Sequence, residues 1–224
     1  MLLRYTFRKL VVIFSLLLIC ISGKAQSVNV GYHQLWLDCK LEGVISFDIF
    51  NTAVTGLHLI ENPGKKNILS IIDYSRPSTD VRFFVIDIEH KKLMYRCLVA
   101  HGKNSGDIYA KSFSNDTESL KSSLGFFLTA ETYSGNHGYA LKLDGLEKNI
   151  NDNARVREIV IHGADYVSNE FIKKYGRLGK SWGCPALPID ISKEIIDKIS
   201  GGSLLFIYSN DNYYKVNSVF LKKH

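Results

Sequence analysis

The sequences Ile-Val-Ile-His-Gly at residues 159–163 and Ser-Trp-Gly-Cys at residues 181–184 contain the two most chemically suggestive side chains of the chain. In the first, a histidine ends an apolar run. In the second, a cysteine follows a glycine and precedes Pro185, which is typical of a turn. A thiol needs a base to become a thiolate, and an imidazole can serve as that base. His162 and Cys184 are too far apart for local spacing to join them, so the pattern predicts a cysteine acyl-transfer enzyme whose fold brings the pair together.

The first 25 residues have the organisation of a secretory signal peptide. A basic region opens the segment and is formed by Arg4, Arg8 and Lys9. Residues 10–22 are apolar but too few to span a bilayer comfortably, and small residues suit cleavage before Gln26. We therefore expect an exported protein, periplasmic or associated with the cell envelope, with no stable membrane span after cleavage. An uncleaved membrane anchor is the alternative.

The composition narrows the choice of partners. The chain carries 28 basic against 22 acidic residues, a net charge of +6, and the basic residues are scattered rather than clustered. This pattern does not indicate nucleic-acid binding. It would suit an enzyme that works near an anionic polymer, and an ordinary solvated surface explains it equally well. The oligomeric state is left open.

Cysteine usage leaves at least one thiol free. Once the signal peptide is removed, the cysteines are Cys39, Cys97 and Cys184, and an odd number cannot all pair within one chain. A disulfide between Cys39 and Cys97 is possible, but this reasoning does not decide whether it forms. Cys184 is the cysteine placed on a turn.

The spacing of apolar residues predicts a mostly β (α+β) domain with a few short helices, preceded by a helical extension. Residues 101–123 are predicted to be a loop. The predicted helices are 46–60, with Ser46 as N-cap, 169–175 and 190–199. The predicted strands are 68–74, 82–88, 92–100, 124–132, 139–143, 159–162 and 204–208.

Three other interpretations of the chemistry compete with the first. A zinc-type metal site could use His101, His137, His162 and Cys184, but none of these is spaced as a close ligand pair. A sortase-like enzyme also places histidine before cysteine, but it needs an arginine after the cysteine and none follows Arg177. A non-catalytic module that binds the cell wall could line a groove with Tyr133, Tyr139, Tyr166 and Trp182.

Several motifs together resemble the L,D-transpeptidase (YkuD-like) catalytic domain family, in particular its variant murein subgroup from Gram-negative bacteria. The strongest are 123–127 (Ser-Leu-Gly-Phe-Phe), 161–164 (Ile-His-Gly-Ala) and 179–184 (Gly-Lys-Ser-Trp-Gly-Cys). Three further blocks are similar to the subgroup: 100–106, 136–139 and 143–146. The resemblance implies a β-sandwich-like catalytic domain over 68–211, after a helical extension over 26–67 and before a C-terminal tail over 212–224.

The resemblance also implies roles for individual residues. Cys184 would be the acylated nucleophile and His162 its general base and acid. The Gly163 carbonyl would hold the imidazole, while Ser181 and Gly183 would shape the turn that carries the nucleophile. The substrates would be peptidoglycan stem peptides, and no metal or cofactor would be required.

Two alternatives stay open within this interpretation: L,D-carboxypeptidase-like hydrolysis of the same substrates, and a non-catalytic peptidoglycan-binding module. For substrate binding we predict Trp182, His137 and Tyr139. The first lies in the turn that carries the nucleophile, and the other two open a predicted strand, where side chains are held by a scaffold yet are reached from solvent.

Overall fold

The structure, a computed structural model, describes residues 31–60, 64–135 and 138–222. The predicted signal peptide lies outside the described residues. Within the described ranges, no helix is both long enough and apolar enough to cross a membrane.

The chain folds into eight strands and five short helices within those ranges. Residues 31–38 form α1. The other helices are α2 (Phe47–Leu59), α3 (Asn169–Tyr175), α4 (Ile189–Ile199) and α5 (Asn212–Asn217). The strands are β1 (Lys65–Asp73), β2 (Phe83–Asp87), β3 (Lys92–Cys97), β4 (Gly125–Gly135), β5 (Gly138–Gly145), β6 (Val160–Ala164), β7 (Ala186–Pro188) and β8 (Ser203–Tyr208).

All eight strands belong to one mixed sheet, in the order β3-β2-β1-β8-β4-β5-β6-β7. The pairs β1–β8 and β6–β7 are parallel, and the remaining neighbours are antiparallel. The predicted fold class, mostly β with a few short helices, is confirmed.

The sheet curls until the chain after one edge strand contacts the other edge strand. Ala100 follows the edge strand β3, and its N–H donates to the carbonyl of Ala186 on the opposite edge strand β7 at 2.9 Å. One step further along, Gly102 forms a parallel bridge with Ser181. The turn at residues 181–184 therefore lies where the two edges of the sheet meet.

Helix α2 packs into the same hydrophobic core as the sheet. Its N-cap is Ser46, whose hydroxyl accepts from the Ile49 N–H, and its buried face includes Phe50 and Val54. Gly56 lies so close to the Phe126 ring that a Cβ there would be 2.2 Å from a ring carbon. The helix thus sits directly on the sheet, and its burial stabilises the scaffold that carries the site.

Residues 212–217, assigned by the sequence analysis to a tail, form α5. Its Tyr214 is buried and donates from its hydroxyl to the Glu147 carboxylate at 3.1 Å. Ser218 donates to the other oxygen of the same carboxylate at 2.5 Å. Burial raises the pKa of Glu147, and these donors oppose that rise. They give the buried carboxylate hydrogen-bond partners, as its burial requires.

Candidate active site

His162 lies on β6, and Cys184 lies in the turn that leads into β7, the parallel neighbour of β6. His162 belongs to β6 and pairs in register with Ala186 of β7, which follows Cys184 by two residues. Both side chains line one cavity of about 500 Å³. The cavity is lined by His162, Gly163, Ala164, Asp165, Tyr166, Lys180, Ser181, Trp182, Cys184 and Ile189. The fold thus brings together two residues that the sequence keeps apart.

The orientation of the His162 ring is set by its neighbour. Its Nδ1 lies 3.0 Å from the Gly163 carbonyl oxygen. Because a carbonyl only accepts hydrogen bonds, Nδ1 must carry the proton, and Nε2 is then the basic nitrogen of the neutral ring. The ring is only 4% exposed. Gly163 allows α4 to approach, since a Cβ there would lie 2.4 Å from Ser192 Oγ.

The turn that carries Cys184 is held by hydrogen bonds within the turn and by one to the backbone of His101. The Ser181 hydroxyl donates to the Cys184 carbonyl at 2.6 Å and accepts from the Gly183 N–H at 3.1 Å. Gly183 has a φ of +134°, a region that favours glycine. Behind the turn, the Ser181 N–H donates to the His101 carbonyl at 3.1 Å. Ser181 and Gly183 therefore fix the backbone on either side of Trp182.

The sulfur of Cys184 lies against the chain that leads into β6. It accepts from the Val160 N–H at 3.4 Å, and its S–H points to the Glu158 carbonyl at 3.6 Å. Burial raises the pKa of the Cys184 thiol, while the Val160 N–H and the positive charge of Arg157 act against that rise. The resting group at neutral pH is therefore the thiol, and a nucleophilic attack needs a base.

The three cysteines within the described residues are all free, so no Cys39–Cys97 disulfide is formed. Burial raises the pKa of Cys39 to about 11 and that of Cys97 to about 12. Both are core residues, whereas Cys184 is partly exposed. Cys184 is thus the cysteine that a molecule in the cavity can reach.

The three predicted substrate-binding residues have different positions. Trp182 lines the cavity and is 74% exposed, with the Lys103 ammonium 6.0 Å from its ring centre. His137 lies outside the described residues. Tyr139 does not line the cavity, because its hydroxyl donates to Asp197 of α4 at 2.6 Å.

The reason for the position of Tyr139 is the alternation of side chains along a strand. Ala140 pairs with His162, so these two residues face the same side of the sheet. Tyr139, one residue earlier, faces the opposite side, where α4 packs. Tyr139 therefore lies on the side of the sheet opposite to His162, and its role in substrate binding stays a prediction.

His101, one of the candidate metal ligands, is a buried neutral residue behind the turn. Its ring is 1% exposed, and its Nδ1 accepts from Arg82 Nη2 at 2.9 Å. Its Nε2 then carries the proton and faces the Gly106 carbonyl at 3.4 Å. Burial, with the neighbouring Arg82 charge, lowers the pKa of His101 to about 4. Among the residues that the structure describes, no group of three or more acidic, histidine or cysteine side chains could hold a metal ion.

We expect His101 to make the fold sensitive to acid. Its folded-state pKa lies below the ordinary value of 6.5, so the unfolded chain binds more protons between the two values. The contribution of His101 to the free energy of unfolding is therefore fully present above about pH 6.5. It is lost as the pH falls from about 6.5 through about 4, by roughly 3 kcal/mol. In urea unfolding at pH 7 and pH 4, His101→Gln should lose about that much less stability than the wild type. An equal loss in both proteins would contradict this expectation.

The residues that support the turn were not predicted from the sequence. Glu158 and Val160 contact the sulfur, the Arg157 charge acts on it, and Ser122 donates to the Gly183 carbonyl at 3.1 Å. No motif marks Arg157 or Ser122, because their contacts depend on how the segment 114–123 folds against the turn.

Comparison with known families gives one match over most of the chain. The model of the L,D-transpeptidase catalytic domain (YkuD_2) matches residues 41–208. This match begins ahead of residue 68 and includes α2, which the sequence analysis placed in an extension. No curated protein matches the chain.

Several solved structures are similar to the chain at low identity. An L,D-transpeptidase from Mycobacterium smegmatis is 13% identical, with 64% of this chain and 59% of that chain covered and a TM-score of 0.40. L,D-transpeptidase 3 from Mycobacterium tuberculosis is 10% identical, with 64% and 60% covered and a TM-score of 0.41. The helical cell shape determining protein Pgp2 from Campylobacter jejuni is 16% identical, with 69% and 53% covered and a TM-score of 0.41. The chain spans less than two thirds of the length of each.

Proposed function

The chain belongs to the L,D-transpeptidase catalytic domain family, since that family's model matches residues 41–208, and on this premise we propose that it is a cysteine-dependent transferase acting on peptidoglycan stem peptides. One observation carries the proposal: Cys184 and His162 line the same cavity, because the turn that carries Cys184 leads into β7, which pairs with the strand of His162. The hydrogen bond from His162 Nδ1 to the Gly163 carbonyl leaves Nε2 as the nitrogen that takes and returns protons.

In the first half-reaction, the donor is a stem peptide with an amide between an L-centre and a terminal D-residue. His162 Nε2 takes the thiol proton as Cys184 Sγ attacks the carbonyl carbon. Backbone N–H groups of the turn stabilise the oxyanion. When the tetrahedral intermediate collapses, the C–N bond breaks, and the imidazolium gives its proton to the leaving amine. The enzyme is left as a thioester on Cys184.

In the second half-reaction, an amine of another stem peptide attacks the thioester. His162 takes a proton from that amine, the C–S bond breaks, and the proton restores the thiol. The product is a crosslink. If water attacks instead, the same steps give carboxypeptidase-like hydrolysis. Which product forms depends on whether the acceptor amine or water occupies the open side of the cavity.

A direct experiment follows from the two half-reactions. The purified domain is incubated with a muropeptide that carries a tetrapeptide stem, with and without an acceptor amine, and the products are identified by mass spectrometry. We expect release of the terminal D-residue, and a crosslinked product when the amine is present. Clipped product in both incubations would favour the hydrolase. Binding without any product would favour the non-catalytic module and contradict the proposal.

Export to the periplasm or cell envelope is part of the same proposal. The substrate is a cell-wall polymer, and the first 25 residues have the pattern of a signal peptide. Amino-terminal sequencing of the protein recovered from the envelope fraction should begin at Gln26. A mature chain that begins at Met1 would favour the uncleaved anchor.

We expect Trp182→Ala to weaken substrate binding with little effect on stability. The side chain is mostly exposed at the cavity rim, so its loss should change the free energy of unfolding by no more than about 0.5 kcal/mol. A flat indole beside the nucleophile would contact a bound peptide, and its removal should raise KM several-fold. Steady-state kinetics and thermal melts measure the two effects.

A matched control is Tyr213→Ala, because Tyr213 is an exposed aromatic residue of α5 that does not line the cavity. It should leave KM unchanged. If Trp182→Ala instead destabilises the protein by about 3–5 kcal/mol, the indole is a packing residue and the binding role is wrong.

A further inference from the structure

The Arg157 guanidinium holds one long loop in place. Its Nη1 donates to the Ser114 carbonyl at 2.7 Å and to Ser123 Oγ at 2.5 Å. Its Nη2 donates to the Lys121 carbonyl at 2.6 Å and to Ser119 Oγ at 3.1 Å. All four acceptors lie in the segment 114–123 and are uncharged. The bonds therefore fix this segment without neutralising the cation.

The same segment forms the rear wall of the nucleophile turn. Ser122 Oγ donates to the Gly183 carbonyl at 3.1 Å and accepts from the Gly102 N–H at 3.0 Å. A Cβ on Gly183 would lie 2.9 Å from the Lys121 carbonyl oxygen and 3.5 Å from Arg157 Nη2. The guanidinium thus lies directly behind the residue that precedes Cys184.

Glu158, the residue that follows Arg157, contacts the Cys184 sulfur. Glu158 has a φ of +55°, a left-handed conformation that is uncommon for a residue with a side chain. Its carbonyl lies 3.6 Å from Cys184 Sγ. The sulfur therefore contacts the residue that directly follows Arg157, while the Arg157 guanidinium lies beside Gly183, the residue that precedes Cys184.

We propose that Arg157 is a positioning residue of the active site, which fixes segment 114–123 against the nucleophile turn and stabilises the thiolate formed at Cys184 when His162 removes its proton. The inference rests on the proposed function of Cys184. Arg157 takes part in no proton transfer, since a guanidinium stays protonated in proteins. Its effect is electrostatic and geometric, because a fixed positive charge favours the ionised form of a nearby acid.

Other titratable groups face the sulfur and must be separated from this effect. They line the cavity or interact electrostatically with Cys184, and they are Tyr74, Glu158, His162, Asp165, Tyr166 and Lys180. The Lys180 ammonium is paired with Asp107 at 2.7 Å. Glu158 acts to raise the pKa of Cys184, whereas Arg157 acts to lower it. Removal of the Arg157 charge alone should therefore raise the pKa of the Cys184 thiol.

The test measures the reactivity of Cys184 in the full mature chain. Iodoacetamide, an uncharged reagent, is used from pH 6 to pH 11, and peptide mapping reports the rate of labelling at Cys184. The variants are Arg157→Gln and Arg157→Lys. Arg155→Gln is the matched control, because Arg155 is an exposed arginine two residues away whose guanidinium pairs with Asp144 and Glu131, each at 2.6 Å.

We expect Arg157→Gln to move the midpoint of the labelling profile to higher pH and to slow labelling at pH 7 about tenfold, because below the midpoint the rate follows the fraction of thiolate. Arg157→Lys keeps a cation but cannot make the same four bonds. It should keep a midpoint near that of the wild type and label several-fold more slowly. Arg155→Gln should behave as the wild type. An unchanged midpoint and rate in Arg157→Gln would overturn the inference.

The labelling experiment still tests the inference if the Arg157→Gln variant fails to fold. If Arg157→Gln does not fold, Arg157→Lys decides, because a wild-type rate in that variant would contradict the positioning role. The outcome is also separable from the proposed function. If Cys184 is essential for turnover but Arg157 variants change neither midpoint nor rate, only the Arg157 inference fails. If Cys184 is dispensable for turnover, the proposed function fails.

Discussion

Replacing Cys184 by alanine is expected to abolish turnover, with a loss of about 10⁴-fold or more. In the proposed mechanism the acyl group is transferred through the sulfur, and no other thiol lines the cavity among the described residues. Cys184 is partly exposed, so truncation should cost about 1 kcal/mol or less of unfolding free energy. Muropeptide turnover followed by chromatography, with a thermal melt of the same preparation, measures both effects.

Cys97→Ala is the matched control for this variant. Cys97 is a buried core residue at the end of β3, so its truncation should lower stability by about 1–2 kcal/mol and leave turnover near the wild-type rate. If Cys184→Ala keeps turnover, the chemistry does not pass through this thiol. If the Cys184→Ala variant loses turnover and its melting temperature also falls strongly, Cys184 is a structural residue.

His162→Ala should lower the rate of acylation by about 10²- to 10⁴-fold, the range that general acid–base catalysis supplies. The thiol is the resting form of Cys184, since burial raises its pKa, so attack needs a group to take the proton. Single-turnover measurements isolate acylation from the later steps. His90→Gln is the control, because His90 lies in the exposed turn between β2 and β3 and bonds to Asp87.

The two residues are expected to act as a unit. A variant that lacks both should be little slower than the slower single variant, because either loss already removes the assisted attack. Losses that multiply in the double variant would mean that His162 contributes independently of Cys184, for example by binding substrate. Full acylation by His162→Ala would assign the base to another group.

The helices were predictable where local signals define their ends. The Ser46 cap and the apolar spacing after it predicted 46–60, and α2 runs from Phe47 to Leu59. The prediction of 169–175 matches α3, which is capped by Ser168 and ends at Gly176 with a φ of +71°. Such signals act within one or two turns of the chain, so the sequence alone reveals them.

Strand β7 was not predicted, because nothing local forms it. It has three residues, one of them Pro188, and no alternation to detect. It exists because β6 pairs with one of its sides and Ala100 bridges the other. A segment whose hydrogen bonds all come from distant residues leaves little trace in a window of sequence.

For the site, the sequence indicated a pair of residues but not the packing around them. A cysteine on a turn and a histidine at a strand end indicated the pair, and the fold places both on one cavity. The place of Tyr139 at the start of a strand did not reveal which side of the sheet its side chain faces, because a shift of one residue along a strand reverses that side. Arg157 gave no signal, since its four acceptors come from segment 114–123, which only the folded chain places behind the turn.

The most direct measurement is to locate the acyl group on the protein. The mature chain is mixed with a muropeptide that carries a tetrapeptide stem, quenched in acid within one turnover, digested and mapped by mass spectrometry. We predict a thioester on the peptide that contains Cys184, formed in the wild type, strongly reduced in His162→Ala and absent in Cys184→Ala. Product formation with no adduct on Cys184, or an adduct on another residue, would contradict a covalent mechanism at this cysteine.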